Sequence, residues 1–239
     1  MRVQPILDAE GTFFEPFAEA FPGSDHEPEG GVWRLVFRAY VVEAGDRVVL
    51  VDTGAASDTP LRPSWVPPAD GHFVDRLRAQ AGIDADDVTD VVLTHLHADH
   101  AAGSVTAACV PAFPNADYLV QEAELPNPLA EPIRDRLRVC AGVTDLTAQV
   151  RLFPTPGHTP GHQSVVISAG EDLLVLAGDV FLHEVQLLDP SVRYHADADD
   201  EAARRSRELV LRMLSSGGRL GTAHLREPYA VLGTALKAM

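Results

Sequence analysis

The stretch THLHADH, residues 94–100, follows directly on the apolar run DVVL, residues 90–93. Three histidines and an aspartate thus fall where a buried strand leaves its sheet. In an extended segment residues two apart point the same way, so His95 and His97 can converge on one ion. Asp99 and His100 fall at the turn into a following helix and can aim at a neighbouring point. The small residues Ala101, Ala102, Gly103 and Ser104 then allow tight packing beneath. A mixed imidazole and carboxylate set suits zinc, and also iron, manganese or cobalt. One turn cannot complete such a site, so the fold must bring further ligands from far along the chain.

Three distant segments offer them. TPGHTPGH carries His158 in a Pro/Gly-rich loop after a strand, VLAGD carries Asp179 at the end of an apolar strand, and GTAHL carries His224 at the end of the last strand. Functional groups commonly sit where strands leave a sheet.

The rest of the chain alternates short β-rich runs with helical ones. Strands are expected over 33–42, 47–52, 88–95, 116–121, 149–154, 163–168, 172–179 and 219–225. Amphipathic helices are expected over 72–82, 130–142 and 197–218, with a short one at 231–239. Strands in two blocks, each followed by helices, predict an α/β fold of two sheets packed face to face with helices outside. The proline-rich stretches 59–71 and 111–118 read as surface loops. With 239 residues, no repeat and no low-complexity linker, residues 1–239 read as one domain.

Composition narrows the partners. A formal net charge of −16 repels phosphate backbones, so neither nucleic acid nor an anionic membrane is an expected partner. No apolar stretch is long enough to span a bilayer, and the N-terminal segment carries Asp8 and Glu10 in place of a sustained apolar core. Cys109 and Cys140 stand outside any C-x-x-C pair and read as buried, reduced thiols. The expected location is the cytoplasm.

These motifs, in this order, resemble the metallo-β-lactamase-fold hydrolase superfamily: VDTG at 51–54, H-x-H-x-D-H at 95–100, the PGHTPGH loop, G-D at 178–179 and the late His224. The resemblance runs from about Tyr40 to Leu225. It implies a four-layer αβ/βα sandwich with the site at one edge of two mixed sheets. It implies that His95, His97 and His158 hold a first metal, that Asp99, His100 and His224 hold a second, and that Asp179 bridges both. Asp52 then lies beneath the site and His162 beside it, both supporting ligands. Two divalent ions, zinc foremost, are the implied cofactors. Two dications about 3.5–4 Å apart can share a water, lower its pKa and stabilise the oxyanion that follows its attack. Asp99 would face both metal and substrate and can carry a proton.

The substrate expected is a small molecule: an ester, lactone or phosphotriester. β-Lactamases proper commonly have Cys at the G-D position, where this chain has Asp179. The segment from Gly178 through DPSV at 189–192 into an acidic helix start resembles the subgroup of methyl parathion hydrolase and quorum-quenching lactonases. Those lactonases place a tyrosine shortly after the bridging aspartate to assist the leaving group; here Leu182 stands there, and His183 and Tyr194 are the substitutes in reach. Phe14 in the aromatic stretch 13–21, with Trp65 and Phe113 in the proline-rich loops, is a candidate pocket wall; the stretch suits a homodimer interface equally. Three alternatives stand beside hydrolysis of these substrates. They are a mononuclear iron persulfide dioxygenase, a thioester hydrolase of the glyoxalase II kind, and a non-catalytic metal-binding protein.

Overall fold

The computed structural model describes residues 1–55, 61, 64–66, 72–170 and 172–231. Two mixed sheets form its frame. The first runs, in spatial order, β1 (Arg2–Thr12), β2 (Arg34–Ala44), β3 (Arg47–Val51), β4 (Asp90–Val92), β5 (Asp117–Gln121) and β6 (Leu137–Cys140). The second runs from β7 (Thr144–Asp145) through β8 (Val150–Pro154), β9 (Gln163–Ala169) and β10 (Asp172–Leu176) to β11 (Arg219–Gly221). Helices α1 (Phe17–Ala20), α2 (Phe73–Ala81), α3 (Ala98–Ala101), α4 (Val185–Leu188) and α5 (Asp200–Met213) fill the connections.

Side-chain alternation sorts residues into layers. In β2, Ala39 and Val41 face one cluster while Tyr40, Val42 and Ala44 face another. The first cluster packs α2, through Phe73, Leu77 and Ala81, on the outside of the first sheet. The second lies between the sheets, where Val49, Val51, Val92 and Leu119 meet Val150, Leu152, Val165, Ile167 and Leu176. A third packs Val210 of α5 and Leu214 at its C-terminal end against Val175 and Leu220 on the outside of the second sheet. Helix, sheet, sheet, helix is the four-layer αβ/βα sandwich. Strands β3 to β6 pair in parallel. The central one, β4, is buried at every position, as a covered parallel strand must be.

Several expectations fail for identifiable reasons. Residues 130–142 do not form one α-helix: a 3-10 run, Pro128–Arg136, gives way to β6. Pro132 removes a backbone donor inside the run, and LRVC then pairs in parallel with β5. Strand β1 is absent from the sequence reading. It is an edge strand with a bulge between Leu7 and Ala9, so its alternation breaks at Asp8. Cys109 is exposed in a tight turn with φ 57°, whereas Cys140 is buried. The expected terminal helix at 231–239 and much of the loop at 59–71 lie outside the described residues. Among the described residues, no helix is long and apolar enough to cross a membrane.

Candidate metal centre

The site sits at the carboxyl ends of β4, β10 and β11, and each ligand segment begins within a few residues of a strand end. After β4 the chain stays extended through His97, which has ψ 151° and caps α3. The motif thus divides as its spacing suggested: His95 and His97 on the extended part, Asp99 and His100 on one helical turn. The turn packs tightly because a Cβ at Gly103 would lie 2.0 Å from the Thr53 carbonyl oxygen.

Three sets of ligand atoms converge: His95, His97 and His158; His95, His100 and Asp179; and Asp99, His100 and His224, with all atoms of a set within 4.8 Å of one another. His158 Nε2 lies 3.0 Å from His97 Nδ1, and His100 Nε2 lies 3.3 Å from His224 Nε2. Asp179 stands between these groups. Its Oδ1 is 3.2 Å from His100 Nε2 and 3.3 Å from His224 Nε2. Its Oδ2 is 3.3 Å from His158 Nε2 and 3.7 Å from His95 Nε2. One carboxylate therefore presents an oxygen to each side.

The donor set fits cations. His95 Nε2 and Asp179 Oδ1 are fully buried yet have no hydrogen-bond partner, an arrangement a protein rarely tolerates without a ligand. Burial, then repulsion from His100 and His97, holds the His95 pKa well below its ordinary value. Burial opposes protonation of His100 and His224 too, but Asp179 leads the carboxylates that raise both. The positive charge drawn onto those two imidazoles is the charge that a dication would supply in their place.

The remaining imidazole atoms are fixed from behind, which leaves the inward atoms as ligands. Asp52 accepts from the Thr94 amide at 2.7 Å and the Thr94 hydroxyl at 2.9 Å, and lies 2.9 Å from His100 Nδ1. Its backbone has φ 60°, an unfavourable conformation for a non-glycine residue that these bonds hold in place. Asp197 Oδ1 lies 3.0 Å from His158 Nδ1, and its other oxygen lies 3.4 Å from the buried Arg207 guanidinium. His224 Nδ1 donates to the Val36 carbonyl at 2.8 Å. His162 accepts from the Asp179 amide at 3.0 Å, and burial pushes its pKa down to about 3, so it stays neutral for that role. Glu124 joins the two ligand loops: it accepts from the Leu96 amide, the Gly161 amide and the Thr159 hydroxyl.

A pocket of about 380 Å³ opens over His97, Asp99, His158 and Asp179. Phe14, Trp65 and Tyr194 line it. Phe113 does not: it is fully buried against Phe73 under the first sheet, so its place in the pocket wall is corrected to core. His183 packs edge-on against Phe17, with ring centroids 4.8 Å apart, and is not among the residues lining the pocket. Asp197, Glu124 and Arg38 were not singled out from sequence. Asp197 sits in an acidic run, HADADD, in which nothing distinguishes it from its neighbours.

A two-sheet sandwich with such a cluster at its strand ends is the frame of a known group of metal-dependent proteins. The pattern of the metallo-beta-lactamase superfamily matches residues 38–217, and the chain belongs to that superfamily. It is 30% identical over 189 residues to a probable metallo-hydrolase of Mycobacterium tuberculosis, a match covering 62% of this chain and 58% of the relative. It thus spans little more than half the length of that relative. It is 26% identical over 200 residues to an N-acyl homoserine lactonase of a Bacillus species, covering 72% of this chain and 76% of the relative. Among solved structures, the dizinc quorum-quenching lactonase AidC, in complex with its product, superposes with a TM-score of 0.80 at 21% identity. That superposition covers 96% of this chain and 89% of AidC.

Proposed function

We propose that the protein is a dinuclear metal-dependent hydrolase of small neutral esters, lactones first, with aryl esters and phosphotriesters as the other members of the class. The observation that carries this reading is the division of Asp179, with one carboxylate oxygen toward His95 and His158 and the other toward His100 and His224. A carboxylate divided in this way suits a pair of metals better than one. Similarity to lactonases and metallo-hydrolases supports the reaction class.

Two bound dications would supply an activated water at neutral pH and polarise the carbonyl it attacks. The chain's own residues do the rest. Asp99 lines the pocket, with Oδ2 3.5 Å from His224 Nε2 and 3.6 Å from His100 Nε2, where it can take a proton from the nucleophile. Tyr194 lines the same pocket, its ring centroid 6.0 Å from that of His158. Burial, then repulsion from Asp179 and Glu15, raises its pKa far above neutrality, so its phenol remains a donor. That hydroxyl can bond the carbonyl oxygen or the departing alkoxide, the task Leu182 cannot perform. The aromatic walls exclude water from the acyl side.

The test is metal content on protein purified without added metal or chelator, followed by hydrolysis of lactone, aryl-ester and phosphotriester panels. About two dications per chain with lactone turnover is the expected result. About one iron per chain with oxygen uptake on a persulfide would overturn it in favour of a dioxygenase.

A further inference from the structure

The pocket contains one charged side chain that the cluster does not use. Glu15 lines it beside Phe13 and Phe14, at the start of the aromatic stretch 13–21. Its Oε2 is buried and pairs with His195 Nε2 at 2.7 Å, with no further partner. Its Oε1 makes no hydrogen bond or ion pair among the described residues. Aromatic rings crowd around it: the Phe13 ring centroid is 4.7 Å from that of Trp33 and 5.6 Å from that of Trp65, and Phe14 lies 5.9 Å from Trp65. Phe14 is 62% exposed, so ring surface remains open to a ligand. Among the described residues, neither Lys nor Arg lines this pocket. An under-bonded carboxylate among aromatic faces favours N–H donors and cations and disfavours anions.

Resting on the hydrolase reading, we propose that Glu15 is the specificity-determining residue of the pocket: it selects substrates that present an N–H donor, an amide or an ammonium group, on the side away from the bond cleaved. Among the described lining residues outside the cluster, nothing else supplies this selection. Trp33, Trp65, Leu35 and Leu182 carry no charge, and His195 is tied to Glu15 itself. A neighbouring depression that holds Arg34 and Arg226 shares Leu35 with this pocket, but neither arginine lines the pocket itself.

The test uses a property of this sequence. Its two tryptophans, Trp33 and Trp65, both line the pocket. Occupancy is therefore readable by intrinsic fluorescence, independently of turnover. The metal-loaded protein is titrated with phenylbutylammonium, phenylbutanamide and methyl phenylbutyl ether, which share a tail and differ in its polar end. The expected order of affinity is ammonium, amide, ether, with roughly tenfold or more between the first and last. Glu15→Gln should bring the ammonium-to-ether ratio toward one. His195→Gln, which removes the competing imidazole, should widen it. Equal affinities in the wild type, or a ratio unchanged in Glu15→Gln protein whose melting temperature is intact, overturns the assignment. Failure of all three probes to quench also overturns it. If the ranking holds but no ester or lactone is hydrolysed, the hydrolase reading fails and the Glu15 assignment stands.

Discussion

The two halves of the centre are supported in different ways. On one side His100 is held by Asp52, which hangs from the end of β3 and also receives Thr94, so the support lies in adjacent parallel strands. On the other side His158 is held by Asp197, which arrives 39 residues later on the loop before α5 and is anchored by Arg207 from that helix. The first support belongs to the sheet core. The second depends on a loop docking correctly on a helix. The same chemical device, a carboxylate behind a histidine, is thus built once from strand ends and once from a loop docked on a helix.

Four substitutions break or sharpen that contrast. Asp179→Ala removes the one carboxylate common to both halves. It should lower bound metal well below that of the wild type and reduce turnover on the order of 10³-fold. Full turnover with unchanged metal content would dissolve the idea of a shared bridge. The paired variants Asp52→Asn and Asp197→Asn should each weaken metal binding about 10–100-fold, but at different histidines. Competition with a chelator, followed by histidine NMR, should show His100 released in the first and His158 in the second. Identical perturbation of both histidines by either variant would mean that the halves are not separable. Arg38→Met is the mildest. Arg38 donates to the carbonyls of Thr222, Leu225 and Arg226 around His224. Its loss should cost about 1–3 kcal/mol, seen as a lower melting temperature, with His224 loosened and His158 untouched.

The sequence exposes the ligands far more clearly than their supports. Five histidines and two aspartates carry a signal because their residue types cluster at strand ends, and VDTG marks Asp52 by its place after an apolar strand. Asp197 and Glu124 have no such marker, because a buried acceptor in a loop is chosen by three-dimensional proximity alone. Glu124 bonds Leu96 and Gly161, 28 and 37 positions away. The layers were legible through alternation, and β1 was not, since a bulged edge strand loses the period that identifies it. Phe113 illustrates the reverse error. An aromatic residue in a proline-rich loop resembles a pocket wall, yet this loop folds back under the sheet and buries the ring.

Each ligand trio straddles the sandwich. His95 and His97 follow a strand of the first sheet, while His158 precedes β9 of the second. Asp99 and His100 likewise wait for His224, which follows β11. A chain emerging from the ribosome therefore carries the four candidate ligands of the H-x-H-x-D-H motif long before any of the three sets is whole. The set of Asp99, His100 and His224 closes only after residue 224 has been made and both sheets have met. Metal capture at these sets would therefore report on completed assembly, a check on the fold that builds the centre.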